Sequence, residues 1–141
     1  MTNHSRRLAG ILLIVLPTVI YGGVSILELI ITDPRYMQNP LRQNLFRAGH
    51  ADVGVLLILS LVILRYVDEA NLSERWKHLV KFGVPISAIL LPAAFFFSVL
   101  SPDATKPNAI IYLAFVAAFI LAISLLVLGI GLVKKRDYEA R

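Results

Sequence analysis

The sequence predicts an all-α integral membrane protein: a four-helix transmembrane bundle with both termini in the cytoplasm. Three observations carry this. Apolar residue types make up 57% of the 141 residues and charged types 16%, less charge than a soluble domain of this size carries. The apolar residues fall into four blocks, and a block of about 20 spans the hydrocarbon core of a bilayer as a helix. The Lys and Arg residues gather at the block ends, with a bias to one side.

The whole chain, 1–141, reads as a single transmembrane domain with spans at residues 8–31, 46–67, 79–100 and 109–133. Asn3-His4-Ser5-Arg6-Arg7 before the first apolar run resembles a secretory signal. The run is longer than a usual signal core and no A-x-A cleavage pattern follows, so it is expected to stay as the first span. Asp33-Pro34 and Asn39-Pro40 each read as a helix start, with the acid or amide as cap and Pro at the first helical position. A helix starting at Pro40 continues into the second span, so this helix is expected to project above the membrane by a turn or two. Arg65 near the other end of that span snorkels to the head groups. Asn71-Leu72-Ser73-Glu74 fits a capping box with Asn as cap. Trp76, Lys77, His78 and Lys81 form the interfacial start of the third span, which Pro85 and Pro92 are expected to kink. Residues 101–107 make a short turn, Asn108 caps the fourth span, and Lys134-Lys135-Arg136 ends it.

Orientation follows from the basic residues. Arg6 and Arg7, then Arg65, Arg75, Lys77 and Lys81, then Lys134, Lys135, Arg136 and Arg141 total ten on one side. Arg35, Arg42, Arg47 and Lys106 total four on the other. Positive-inside topology therefore places both termini inside a cell membrane crossed several times. Trp76 and Tyr66 fall at the inner interface and Tyr36 and Tyr112 at the outer one, where aromatic belts sit. The sequence pI near 9.8 does not indicate nucleic acid, because the cations sit at helix ends with no finger motif or aromatic platform. The chain has no Cys, which excludes disulfides, thiolate metal sites and covalent haem attachment.

Polar residues inside the spans mark the candidate site. Thr18, Tyr21, Gly22, Ser25, Glu28 and Thr32 recur at spacings of three and four, one stripe of a helix. Such a stripe is expected to face other helices or a cavity. Glu28 lies about one turn from the outer end, roughly 5 Å below it. It reads either as functional or as a partly hydrated carboxylate in a simple ion pair. The second span opens with the densest polar cluster, in which Arg47, His50 and Gly54 share a face. Asp52 points about 200° away from His50, toward a different helix. Glu28 and His50 fall at similar depth on adjacent antiparallel helices, so Glu28 is expected to reach Arg47 or His50. Two readings of this contact stand side by side: a structural clasp, or a site for a ligand, metal, haem or proton.

His50 is the best single metal candidate, and no cofactor is identified. His4 and His78 belong to the opposite face, about a membrane thickness away from it. No Ser/His/Asp triad, His-Glu-x-x-His pair or phosphate loop appears, and no catalytic residue is assigned. Ala114, Ala118 and Ala122 form a small-residue ridge on the fourth span. Internal packing is the first reading of it, and a homo-oligomer or larger-complex interface the second.

The stretch Arg47-Ala48-Gly49-His50-Ala51-Asp52-Val53-Gly54-Val55-Leu56-Leu57 resembles a segment of small, uncharacterised bacterial four-span membrane proteins with the pattern R-A-G-H-A-H-x-G. Asp52 stands where that pattern has a second His, so a two-His ligand role does not carry over. The resemblance implies the four-span fold, a bacterial inner membrane and a special status for His50. It implies no activity.

Two functions of different class follow. One is a non-enzymatic membrane protein whose outward-facing polar site, built from Tyr21, Ser25, Glu28, Arg47, His50 and Asp52, binds a small ligand, ion or cofactor. The other is an accessory or scaffold subunit of a larger membrane complex, with an oligomeric transporter or channel as a weaker variant. The topology is directly testable. Single cysteines at Gln38 and Ser73 should react with an impermeant thiol reagent in intact cells at Gln38 only, and labelling at Ser73 alone reverses the orientation.

Overall fold

The computed structural model describes residues 1–134. Lys135, Arg136 and Arg141, which enter the basic count, lie outside the described residues. Five helices follow in order: α1 (Asn3–Thr32), α2 (Pro34–Met37), α3 (Pro40–Tyr66), α4 (Glu74–Ser98) and α5 (Leu113–Val133), with a 3₁₀ turn at Ala109–Tyr112 ahead of α5. Four segments are long and apolar enough to cross a membrane: α1, α3, α4, and α5 with its 3₁₀ turn. No strand occurs among the described residues.

Short polar side chains set the helix boundaries. The Thr2 hydroxyl accepts from the Ser5 amide at 3.2 Å and starts α1. Asp33 ends α1 and opens α2, its carboxylate accepting from the Arg35 amide at 3.0 Å and the Tyr36 amide at 3.3 Å. Asn39 caps α3 by accepting from the Arg42 amide at 3.1 Å. Asn108 accepts from the Ile110 amide at 2.9 Å. Each satisfies amides that a helix start otherwise leaves unpaired. As the sequence indicates, α3 runs unbroken from Pro40; Pro85 and Pro92, expected to kink the third span, both lie inside α4, which continues through them.

The capping box at residues 71–74 does not form. Ser73, not Asn71, is the N-cap of α4, and it makes no side-chain capping bond. The cause is tertiary. The Asn71 amide donates to the Gly131 carbonyl at 2.8 Å, and the Leu72 side chain fills the space that a Cβ on Gly131 would occupy. This segment is therefore latched to α5 before the helix begins.

The start of α3 does not project freely either. The α2 turn and residues 99–108 fold over it, and the Asn39 amide group donates to the carbonyls of Pro102 at 3.2 Å and Ala104 at 2.9 Å. Tyr36 is fully buried, against its expected place in an aromatic belt, and packs with Phe46 and Val99. Arg42 is buried with it. Its Nε donates to the Val99 carbonyl at 3.2 Å, and its guanidinium lies 5.6 Å from the Tyr36 ring centre and 5.2 Å from that of Phe46. Ring faces and the carbonyl at the end of α4 offset its charge. The Tyr36 hydroxyl and Arg42 Nη1 have no partner among the described residues. Burial pushes the Tyr36 hydroxyl pKa up, against the opposing charges of Arg47 and Arg42.

The packing is centred on α4. Its main neighbours are α3 and α5, while α1 packs mainly on α3. One core cluster joins Ile63, Val67, Val80, Val84 and Leu128; another joins Leu56, Leu57 and Ala88, with Leu12, Leu16 and Leu121 against it. The packing face of α5 carries Ala117, Ser124, Leu128 and Gly131. The ridge expected to pack internally turns outward: Ala114 is half-buried, and Ala118 and Ala122 are exposed. One hundred degrees per residue explains this, because Ala117 claims the α4 side and its neighbour Ala118 must then leave it.

The end of the bundle where α1 begins and α5 ends is fastened by a buried ion pair. Lys81 Nζ lies 2.7 Å from Asp68 Oδ1, with the two side chains 6% and 11% exposed. The Thr2 amide donates to Asp68 Oδ2 at 2.7 Å, and the buried Ser5 hydroxyl lies 3.0 Å from that of Thr2. Lys81 is thus an internal cation, not an interfacial one. Burial alone raises the Asp68 pKa. Hydrogen bonds from Lys81, Thr2 and Ser5, with the Lys81 charge, outweigh it and hold the carboxyl well below the ordinary carboxylate range. A depressed carboxyl contributes stability that is complete above its unfolded pKa and is lost as pH falls through the folded one. Lys81→Met should therefore cost on the order of 3 kcal/mol at neutral pH. The wild-type contribution of this pair should be complete at about pH 5–7 and decline on the acid side only below about pH 4. Thermal melts in detergent check both, and a Lys81→Met protein that melts with the wild type at pH 7 overturns the assignment.

Candidate functional site

The expected site lies between the second halves of α1 and the first half of α3. At its centre is His50, half-buried on the α1 side of α3. Its ring occupies a notch at Gly22 and Gly23. A Cβ on Gly23 would lie 2.8 Å from His50 Nε2, and one on Gly22 would lie 3.7 Å from Nδ1. The pair of glycines is what lets the imidazole enter the face of α1, a close approach that small residues permit between apolar helices. His50 makes no hydrogen bond or ion pair among the described residues.

The other expected members do not converge on His50. Glu28 is exposed and forms no ion pair with Arg47 or His50. It borders a shallow groove of about 250 Å³ with Val24, Leu27, Ile31 and Thr32, all from its own helix. The geometry of α1 accounts for this. Glu28 stands five residues after Gly23, about 140° around the helix, so when Gly23 meets α3 Glu28 faces away. Nor do the two share a level: His50 abuts Gly22 and Gly23, six and five residues before Glu28, roughly 8 Å along the helix axis. Tyr21 is 73% exposed on the same outward side. Ser25 is half-buried and returns its hydroxyl to the Tyr21 carbonyl at 3.0 Å. Thr18 and Thr32 likewise donate to Val15 and Glu28 carbonyls at 2.7 and 2.8 Å. The stripe expected to face other helices turns outward at Tyr21 and Glu28, and only its Gly22 edge meets α3.

Arg47 is exposed and tied to its own helix. Nε donates to the Gln43 carbonyl at 3.1 Å and Nη2 to Gln43 Oε1 at 3.4 Å. Gln43 in turn donates to the carbonyls of Tyr36 at 3.0 Å and Met37 at 2.9 Å. Asp52 is half-buried. It shares a helical line with Gly49 and Leu56, and Gly49 faces Phe95 and Phe96 of α4. His50 and Asp52 therefore serve opposite sides of α3, as the wheel indicates.

No group of three or more His, Cys, Asp or Glu side chains suited to a metal gathers among the described residues. His4 and His78, expected to be far from His50, do meet each other at the other end, with ring centres 6.2 Å apart and Phe82 beside both. His78 Nδ1 lies 2.7 Å from the Glu74 carbonyl. Sequence reasoning missed two assemblies, the Asp68–Lys81 pair and the Arg42–Tyr36 knot. A signal existed for the first: Lys81 stands inside the third apolar block, where an ammonium requires a partner.

No family model, no curated protein and no solved structure matches this chain.

The histidine notch makes a defined prediction. Gly23→Ala should destabilise the protein by about 1–3 kcal/mol through overpacking against the imidazole. The cost should disappear when His50→Ala accompanies it, because contacting residues are not additive. Equal effects of Gly23→Ala with and without His50, read as detergent melting temperatures, would show that the ring does not occupy the notch.

Proposed function

We propose that this is a non-enzymatic, multi-pass membrane protein acting as an accessory subunit, which docks onto a partner membrane protein through the outward face of α1. The membrane reading rests on four long apolar helices and an apolar exterior, with Phe115 and Phe119 among many exposed side chains. The basic bias of the terminal side supports cytoplasmic termini in a cell membrane.

A single observation carries the docking reading: Glu28 is an exposed carboxylate without a partner on a helix otherwise suited to lipid. Ile14, Tyr21 and Glu28 follow one another at seven-residue steps, the spacing of a helix-pairing seam. The stripe's hydroxyl residues Thr18, Ser25 and Thr32 bond to carbonyls of their own helix, so lipid can accept them. A lipid-facing carboxylate is costly. The occupant that answers it is a transmembrane helix carrying a cation or hydrogen-bond donor near the same depth. A second copy answers it poorly, since a parallel two-fold pair through this seam sets Glu28 against Glu28, like charges in a medium of low dielectric.

Ligand binding at the outer cluster stays as a second reading because the half-buried His50 imidazole has no hydrogen-bond partner among the described residues. One preparation separates the two. A photo-crosslinking residue at Tyr21 should yield a discrete adduct with one membrane protein, absent when the crosslinker replaces Val62 on α3, and Glu28→Lys should reduce it at least about tenfold, the loss of roughly 1.4 kcal/mol of coupling. Adducts to lipid alone would remove the docking reading. An adduct of twice the chain mass would assign the seam to a second copy. Absorbance or stoichiometric metal in the purified protein, lost in His50→Gln, would favour the ligand site instead.

A further inference from the structure

At the terminal end, where α4 begins and α5 ends, a hollow of about 360 Å³ opens between the two helices. Its polar rim carries Ser73, Trp76 and Lys134, and its wall is Leu72, Val127 and Ile130. Ile130 and Lys134 also line a second, larger groove of about 600 Å³ that runs along α5 past Leu125, Leu126 and Gly129. A largely apolar cup with a polar rim thus continues into an apolar channel through two shared residues. That is the shape of an amphiphile, with a head of one polarity and a tail of the other.

The charges select among amphiphiles. Three cations of this end are already paired with carboxylates: Arg65 with Glu69, Lys77 with Glu74 and Lys81 with Asp68. Lys134 has no such partner among the described residues, nor does Arg75, which borders a hollow on the far side of Trp76. The surroundings therefore favour a head group with net negative charge, and no carboxylate lines the cup to pair with a quaternary amine. Trp76 contributes an indole at the depth where Trp prefers the membrane interface, and basic pockets between helices on that side suit anionic lipid head groups.

We propose that the cup and groove bind one anionic phospholipid, its phosphate at Lys134 and an acyl chain along the Leu125–Gly129 face of α5. Lys134 supplies the charge recognition, and Gly129 keeps the groove floor open, since a Cβ there meets nothing within 4 Å. The site is lined by residues 71–76 and α5 and shares no residue with the docking seam on α1, so each proposal fails or stands alone.

Trp76 is the only tryptophan in the chain, so its fluorescence reports on the cup directly. The full-length protein in neutral detergent is titrated with phosphatidylglycerol, phosphatidylcholine and inorganic phosphate. Phosphatidylglycerol should produce a saturable change in Trp76 emission, at an affinity at least about fivefold tighter than phosphatidylcholine, the effect of roughly one basic side chain near an anionic lipid. Lys134→Gln should remove that preference. Gly129→Leu, which fills the groove at an open position, should weaken phosphatidylglycerol while the melting temperature holds. Equal responses to the two lipids, an unchanged preference in Lys134→Gln, or unaltered binding in Gly129→Leu each overturn the proposal. A saturating response to millimolar inorganic phosphate alone also overturns it, by showing an anion cup with no lipid tail.

Discussion

The buried Asp68–Lys81 pair is the constraint from which the rest of the arrangement follows. A charged group below the surface of a helix bundle must meet its opposite or the structure opens. Here the opposite comes from the α3–α4 connection, and the same carboxylate takes the amide of Thr2. One anion therefore joins three parts of the chain: the start of α1, the turn after α3 and the second turn of α4. Without it, α1 would depend on its packing against α3 alone. With it, the lower half of α1 has a fixed place, and the notch at Gly22 and Gly23 is brought level with His50.

Local chemistry was readable in the sequence where a signal and its target are close together. Asp33, Asn39 and Asn108 each cap the helix that begins one residue later, and proline follows the first two. Nothing distant competes for those side chains. Asn71 had the same local signal and did not use it, because Gly131 offered its carbonyl and a hollow for Leu72. That competitor lies 60 positions away in sequence, and no local pattern announces it.

The site illustrates a second boundary between what was legible and what was not. Depth along an apolar block is counted in residues, and that count brought Glu28 and His50 only to within about a turn and a half of each other. Azimuth depends on which face each helix presents, and that is decided by packing. The two glycines of α1 decide it here by admitting the imidazole, which sends Glu28 outward. The opposed directions of His50 and Asp52 could be read, because both belong to one helix and need no knowledge of a partner. Arg42 shows the same limit from another side. Its burial beneath Tyr36 and Val99 requires the chain of residues 99–108 to fold back over α3, a tertiary event with no trace in the local sequence.

The uneven burial of the four long apolar helices bears on how firmly each is held. In α1 only Ser5 is buried among 30 residues, whereas α3 and α4 each bury many of theirs. Helices in lipid are stable individually and then associate. α4 is joined extensively to α3 and α5, and α1 meets this unit mainly along α3, at the histidine notch, and through Thr2 at its start. By burial α1 is the least embedded of the long helices, with Ser5 alone buried, and its detachment as one rigid rod would leave its own backbone hydrogen bonds intact. Such sub-global openings lie at the low end of a protein's free-energy spectrum. A helix held so lightly is the part of this chain that could leave the rest with its own secondary structure complete.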